Sequence, residues 1–208
     1  MKFFLCIFFY FSAIFADIPQ FNALDLENSN GDGAYDSAML TMKIELHPDT
    51  EYLNLSGQNV TDELMRAIRS KLPQLKELIM HGSIRHYGER DIVRWQMVTA
   101  DMLGSLIQEN SSIETLDLSL STLNDSGLDA IGRGAFGLNK ISLKGVQYVS
   151  EIGLNELARR IPNIQQMDLS KIEIKRPDGS SEKIGPNVSE EFIQQLKKRG
   201  ISVIREGA

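Results

Sequence analysis

Ile113-Glu-Thr-Leu116-Asp-Leu118 decides the reading of this 208-residue chain, because the same apolar spacing returns on both sides of it. It recurs as Leu75-Lys-Glu-Leu78-Ile-Met80, Leu138-Asn-Lys-Ile141-Ser-Leu143 and Ile164-Gln-Gln-Met167-Asp-Leu169. Thr50-Glu-Tyr-Leu53-Asn-Leu55 is an earlier copy without the first apolar residue, and Ile201-Ser-Val203-Ile204 is a shortened last one. Self-similarity at a period of roughly 20 to 50 residues marks units that cannot bury a core alone and do so by stacking. The first positions fall at Thr50, Leu75, Ile113, Leu138 and Ile164, intervals of 25, 38, 25 and 26 residues. One unit is therefore about 25 residues long, and the second carries an insertion.

Within each phrase the alternating apolar residues suit a short strand, with Leu53 and Leu55, or Leu116 and Leu118, turned to the core. A helix-start residue then precedes an apolar one by three places: Thr61 with Leu64, Thr99 with Met102, Asp125 with Leu128, Ser189 with Phe192, and Ser150 or Glu151 ahead of Leu154. Such side chains accept hydrogen bonds from unpaired backbone donors, each worth about 1 kcal/mol. Helical spacing follows in Leu64, Ile68 and Leu72, and in Leu154, Leu157, Ala158 and Ile161. Pro73 and Pro162 stop those helices, and Lys197-Lys-Arg199-Gly200 is a helix finish favoured by the macrodipole.

These units, over residues 50 to 204, resemble leucine-rich repeats, most closely the ribonuclease-inhibitor and cysteine-containing subtypes with a full helix per unit. The resemblance implies an α/β leucine-rich repeat solenoid, with a curved parallel sheet on the concave side and helices on the convex side. It also implies that the concave face binds a protein or peptide. Two departures stand out. The family's Asn or Cys ladder position holds Gln58, Ser83, Ser121, Val146 and Ile172, so the ladder is expected to be weak or absent. The cysteine-stapled end caps of extracellular members are missing as well.

Met1-Lys2, the Phe-rich run to Phe15 and Ala16 before a polar stretch have the layout of a secretory signal peptide, read as residues 1 to 16. The run is shorter than the roughly 20 residues needed to span a bilayer. Its removal takes Cys6, the only cysteine, and Lys2, moving the net charge from −6 to −7. The expected product is secreted, or periplasmic in a Gram-negative cell, without disulfides or a membrane span. Its acidity argues against nucleic acid as a partner. Residues 17 to 49 are read as an N-terminal extension or cap, in which Ile44-Glu-Leu46 would form a shielding strand, and residues 50 to 208 as the repeat domain of about five units.

Outward strand positions form a grid: Tyr52, Asn54, Ser56; Glu77, Ile79, His81; Thr115, Asp117, Ser119; Lys140, Ser142, Lys144; and Gln166, Asp168, Ser170. This is the first candidate ligand surface. The insertion, read as a loop over residues 82 to 96, is the second, because Arg85, Tyr87, Arg90, Arg94 and Trp95 have the composition of interface hot spots. A further break at residues 172 to 187 contains Pro177-Asp-Gly179, which predicts a hairpin between Ile172 to Lys175 and Glu182 to Ile184.

His81, His86, Glu89 and Asp91 fall short of a zinc-site pattern, and residues 28 to 36 match only the first part of a calcium loop, with Met39 where a bidentate Glu is required. No metal or cofactor is expected. Five N-x-S/T sequons, at Asn54, Asn59, Asn110, Asn124 and Asn187, qualify as glycosylation acceptors where the secretory route glycosylates. The sequence holds no G-x-S-x-G, phosphate loop, H-E-x-x-H or catalytic Cys. The expected function is a secreted, non-catalytic protein-binding module. A secreted enzyme on a repeat scaffold and a self-associating surface protein are the alternatives.

Overall fold

A computed structural model describes residues 22–28, 35–88, 90–107 and 112–205. The segment read as a signal peptide, most of the calcium-loop match, Glu89 and Asn110 lie outside the described residues. Every copy of the phrase forms a three-residue strand: β2 Tyr52–Asn54, β3 Glu77–Ile79, β6 Thr115–Asp117, β7 Lys140–Ser142, β8 Gln166–Asp168 and β11 Ser202–Ile204. With β1 (Ala23–Asp25) they build a seven-stranded parallel sheet in the order β1-β2-β3-β6-β7-β8-β11, so phrase follows phrase across the sheet. Register is identical at each step, pairing Leu24, Leu53, Leu78, Leu116, Ile141, Met167 and Val203 in one row. The five central members of that row are at most 2 % exposed. Burying each contributes about 1.5–3 kcal/mol.

Six helices occur among the described residues: α1 Ser37–Glu45, α2 Asp62–Lys71, α3 Ala100–Ile107, α4 Asp125–Gly132, α5 Glu151–Arg160 and α6 Glu190–Lys198. Their apolar stripes join the strand row in one core. Consecutive helices from α1 to α5 pack on one another, while α6 packs on β11. None is long and apolar enough to cross a membrane. Caps fall where the spacing predicts at Thr61, Thr99, Ser150 and Ser189, whose hydroxyls accept from Leu64, Met102, Gly153 and Phe192 N–H groups. α4 differs, for Asn124 caps it and accepts from Gly127. Asp125 instead accepts from the Ser150 N–H and hydroxyl, at 2.8 and 2.6 Å, tying one helix start to the next.

The N-terminal extension corrects the sequence reading. Ile44 belongs to α1, capped by Asp36, and its Leu40 and Ile44, four apart, are fully buried. With β1 before it, α1 completes another strand–helix unit rather than a shielding strand. The signal for that unit lies in Phe21-Asn-Ala-Leu24-Asp-Leu26, a further copy of the phrase.

The side-chain ladder is partial: glutamines supply two rungs in the first units, and the later positions Val146 and Ile172 carry no polar side chain to continue it. Gln58 Nε2 donates to the Leu26 carbonyl, its Oε1 accepts from Tyr35 N–H, and Gln96 Nε2 donates to the Gln58 carbonyl at 3.1 Å. Both glutamines are 4–5 % exposed. Gln96 stands in the second unit's rung because the 13-residue excess of its interval (38 against 25) lies between strand and rung. That excess is a hairpin rather than a loop, β4 (Ser83–Tyr87) antiparallel to β5 (Arg90–Arg94). The later break forms the expected hairpin, β9 (Ile172–Lys175) with β10 (Ser181–Ile184).

Candidate interaction surfaces

On the face opposite the helices the predicted grid is realised in register. Tyr52, Glu77, Thr115, Lys140 and Gln166 lie side by side, and Asn54, Ile79, Asp117, Ser142 and Asp168 form the next row. The row of Ser56, His81, Ser119, Lys144 and Ser170 continues through main-chain bonds such as Gly82 N to Ser119 O and Leu120 N to Lys144 O, 2.9 and 2.8 Å. Most of these positions are half-exposed or exposed. Asn54, Ser56 and Ser170 are not, at 2–5 % exposure.

A local turn closes several strands at these rows. Asp25, Asn54, Asp117 and Asp168 each accept, through Oδ1, the N–H two residues on, at 2.9–3.0 Å. This Asx geometry bends the chain where the strand ends. Asp117 and Asp168 therefore hold the scaffold as well as facing out. Asn54, with its Nδ2 directed to Glu27 Oε2 at 3.4 Å, is poorly placed as a glycan acceptor. Asn59, Asn124 and Asn187 remain exposed.

Charge divides this face. Towards β1, Tyr52 and Glu77 border a recess of about 320 Å³ with Ala23, Glu51, Lys76, Glu114 and Thr115. Burial, then Asp25, Glu77, Glu27 and Asp117, push the Tyr52 phenol above its usual range. Burial also raises the Glu77 carboxyl, with Lys140 opposing and Asp117 adding. Towards β11 the face carries Lys140 and Lys144, which stand in the rows either side of Ser142, itself between Asp117 and Asp168. His81 Nδ1 lies 2.8 Å from the Gly82 carbonyl.

The insertion residues gather elsewhere, on the β4–β5 hairpin. Cross-strand pairs alternate between its faces. Ser83–Arg94, Arg85–Ile92 and Tyr87–Arg90 share one, while Ile84–Val93 and His86–Asp91 share the other. Arg90, Arg94, Tyr87 and Ile92 are exposed, and Arg85 is half-buried. Trp95 follows the hairpin, half-buried beside a recess of about 310 Å³ with Asn28, Gln58 and Met97.

No pattern in the sequence signals that both period breaks meet. Asp91, its side chain 7 % exposed, takes His86 Nδ1 at 2.6 Å and the Lys175 N–H at 2.7 Å. The Lys175 N–H and His86 hold its carboxyl below the usual range. β5 and β9 thus lie against each other, although 84 residues separate Asp91 from Lys175. Beneath them sits Leu120, with φ of 52° and 6 % exposure. The equivalent positions in other units hold Gly57 and Gly145, with φ of 70° and 75°. A Cβ on Gly82 would meet the Arg94 and Leu120 carbonyls at 2.3 Å, and one on Gly145 would meet Leu120 and Ile172 side chains at 2.8 and 2.9 Å. Leu120 accordingly wedges between the two hairpin bases.

A second feature without a sequence signal is a groove of about 1000 Å³ on the helix side, lined by Arg66, Arg69, Asp129 and Arg133 around the small residues Ala100, Gly104 and Ser105. No group of three or more His, Cys, Asp or Glu able to hold a metal occurs among the described residues. In comparisons with known proteins, no family model and no curated protein matches this chain.

Proposed function

We propose that this chain is a leucine-rich repeat solenoid of the ribonuclease-inhibitor or cysteine-containing type, exported as a non-catalytic module that binds a protein or peptide on its concave sheet face. The observation that supports this most is the open face itself. Seven strands in one register present rows of mixed charge and a tyrosine-lined recess, while helices fill the opposite face. A rigid, pre-formed surface of this kind loses little conformational entropy on binding.

The test is photo-crosslinking from Ser142 in the extracellular fraction, followed by affinity measurement on the captured partner. Lys140→Glu with Lys144→Glu should weaken capture by about tenfold or more, a loss of about 1.4 kcal/mol, whereas Lys71→Glu on α2 should leave it unchanged. Equal capture by both variants would reject the face. Self-association is the second reading, favoured by β11, which among the described residues pairs only with β8 and leaves Ile204 41 % exposed at the sheet edge. Light scattering that shows a strict monomer at high concentration would remove it.

A further inference from the structure

We infer, resting on the open-face reading, that the recess at the β1 end of the sheet receives an arginine side chain of the partner, its guanidinium laid on the Tyr52 ring and its fork turned to the Glu77 carboxylate. Register builds the floor of this recess. Ala23, Tyr52, Glu77 and Thr115 are the first residues of four adjacent strands, paired one to the next. All four line the same cavity of about 320 Å³. Neighbouring strands run roughly 4.7–4.9 Å apart, so a planar cation on the tyrosine ring reaches a carboxylate one strand over. Tyr52 and Glu77 are both half-exposed, and the residues that flank the pair, Ala23 and Thr115, are small.

Charge selects the occupant. Glu51, Glu77 and Glu114 line the recess together with Lys76, whose ammonium is already engaged by Glu51 at 3.0 Å. Asp25, Glu27 and Asp117 lie near enough to help push the Tyr52 phenol upward, so the potential over the ring is negative. Glu77 differs from Glu51, because no described residue hydrogen-bonds or ion-pairs its carboxylate. Burial raises that carboxyl, with Lys140 opposing. A carboxylate short of water gains most from a cation that donates two hydrogen bonds, and an aromatic face attracts the same cation. Arginine meets both demands with a flat, weakly hydrated group, whereas a lysine ammonium is compact and strongly hydrated. An anionic ligand would meet three carboxylates of like sign.

NMR titration of the isotope-labelled full chain with N-acetyl-arginine amide tests this. Saturable shifts of the Tyr52, Glu77 and Thr115 amides are expected, with a Kd on the order of 1–10 mM. Glu77→Gln should weaken binding about fivefold or more and Tyr52→Leu about threefold or more, while Tyr52→Phe, which keeps the ring, should preserve it. Circular dichroism confirms that each variant folds. N-acetyl-norleucine amide, which lacks the charge, and N-acetyl-glutamate amide should give no saturable shift. Absence of saturable shifts with the arginine amide, equal binding of the norleucine amide, or indifference to Glu77→Gln would each overturn the inference. Because the titration needs no captured partner, the two readings fail separately. Capture that responds to the lysine variants without any response to the amide rejects the arginine alone, and amide binding at Glu77 in a chain that captures nothing rejects the open face alone.

Discussion

The sheet-and-helix body and the hairpin pair are stabilised in opposite ways. In the body every step repeats the last: the carbonyls of Asn22, Glu51, Lys76, Glu114 and Asn139 each accept two N–H groups from the next strand, and each strand adds a leucine-like residue to one continuous core. No single contact there is unique, and the core residues of the five central strands are buried. Among its described residues the hairpin pair has few buried apolar side chains, and the Asp91 carboxylate and the Leu120 wedge join its two halves. Periodic burial builds a scaffold from redundant parts, whereas an interruption of the period must be fastened individually.

Substitutions in the body should therefore cost global stability, and those in the hairpins local order. Leu116→Ala, in the middle strand, should lower unfolding free energy by about 2–5 kcal/mol in a urea titration. A loss under about 1 kcal/mol would mean that the shared core is not what holds the molecule. Gln58→Ala leaves the Leu26 carbonyl and Tyr35 N–H without their partner and should cost about 1–3 kcal/mol. Leu120→Gly relieves the positive φ but empties the wedge. A net loss of about 1–2 kcal/mol is expected, with faster hydrogen exchange in both hairpins.

Asp91→Ala should leave the melting transition in place while the Lys175 amide loses its exchange protection. Acid should do the same. The Asp91 carboxyl is depressed in the folded state, so its contribution is complete above its unfolded pKa of about 3.9 and is lost only as pH falls through the lower folded value. Protection of Lys175 that disappears near neutral pH would contradict this clasp. The smallest effect is spectroscopic: Tyr52 should ionise above the ordinary phenol value of about 10, and Asp25→Asn with Asp117→Asn should bring it part of the way back.

Most strands and helices were legible because their signals are local and repeated. Leu116 and Leu118 mark a strand by alternation, and Ser189 with Phe192 marks a helix start by a cap three residues ahead. The first unit is harder to read although Phe21, Leu24 and Leu26 carry the phrase, since the helix after it is apolar on more than one side, with Met39 and Met42 exposed. The glutamine pair is not legible by spacing, because the hairpin displaces one rung from Ser83 to Gln96. In the grid, Asn54, Ser56 and Ser170 have the right parity but are buried, which alternation along a strand does not signal.

By itself the sequence determined the unit length, the row of core residues and the parity of the outward grid, because strand alternation and helix caps act within a few residues of chain. Only the tertiary structure decided that the two interruptions meet. Their contact depends on how many strands separate them and on the position of Asp91, quantities set by stacking whole units rather than by any local pattern.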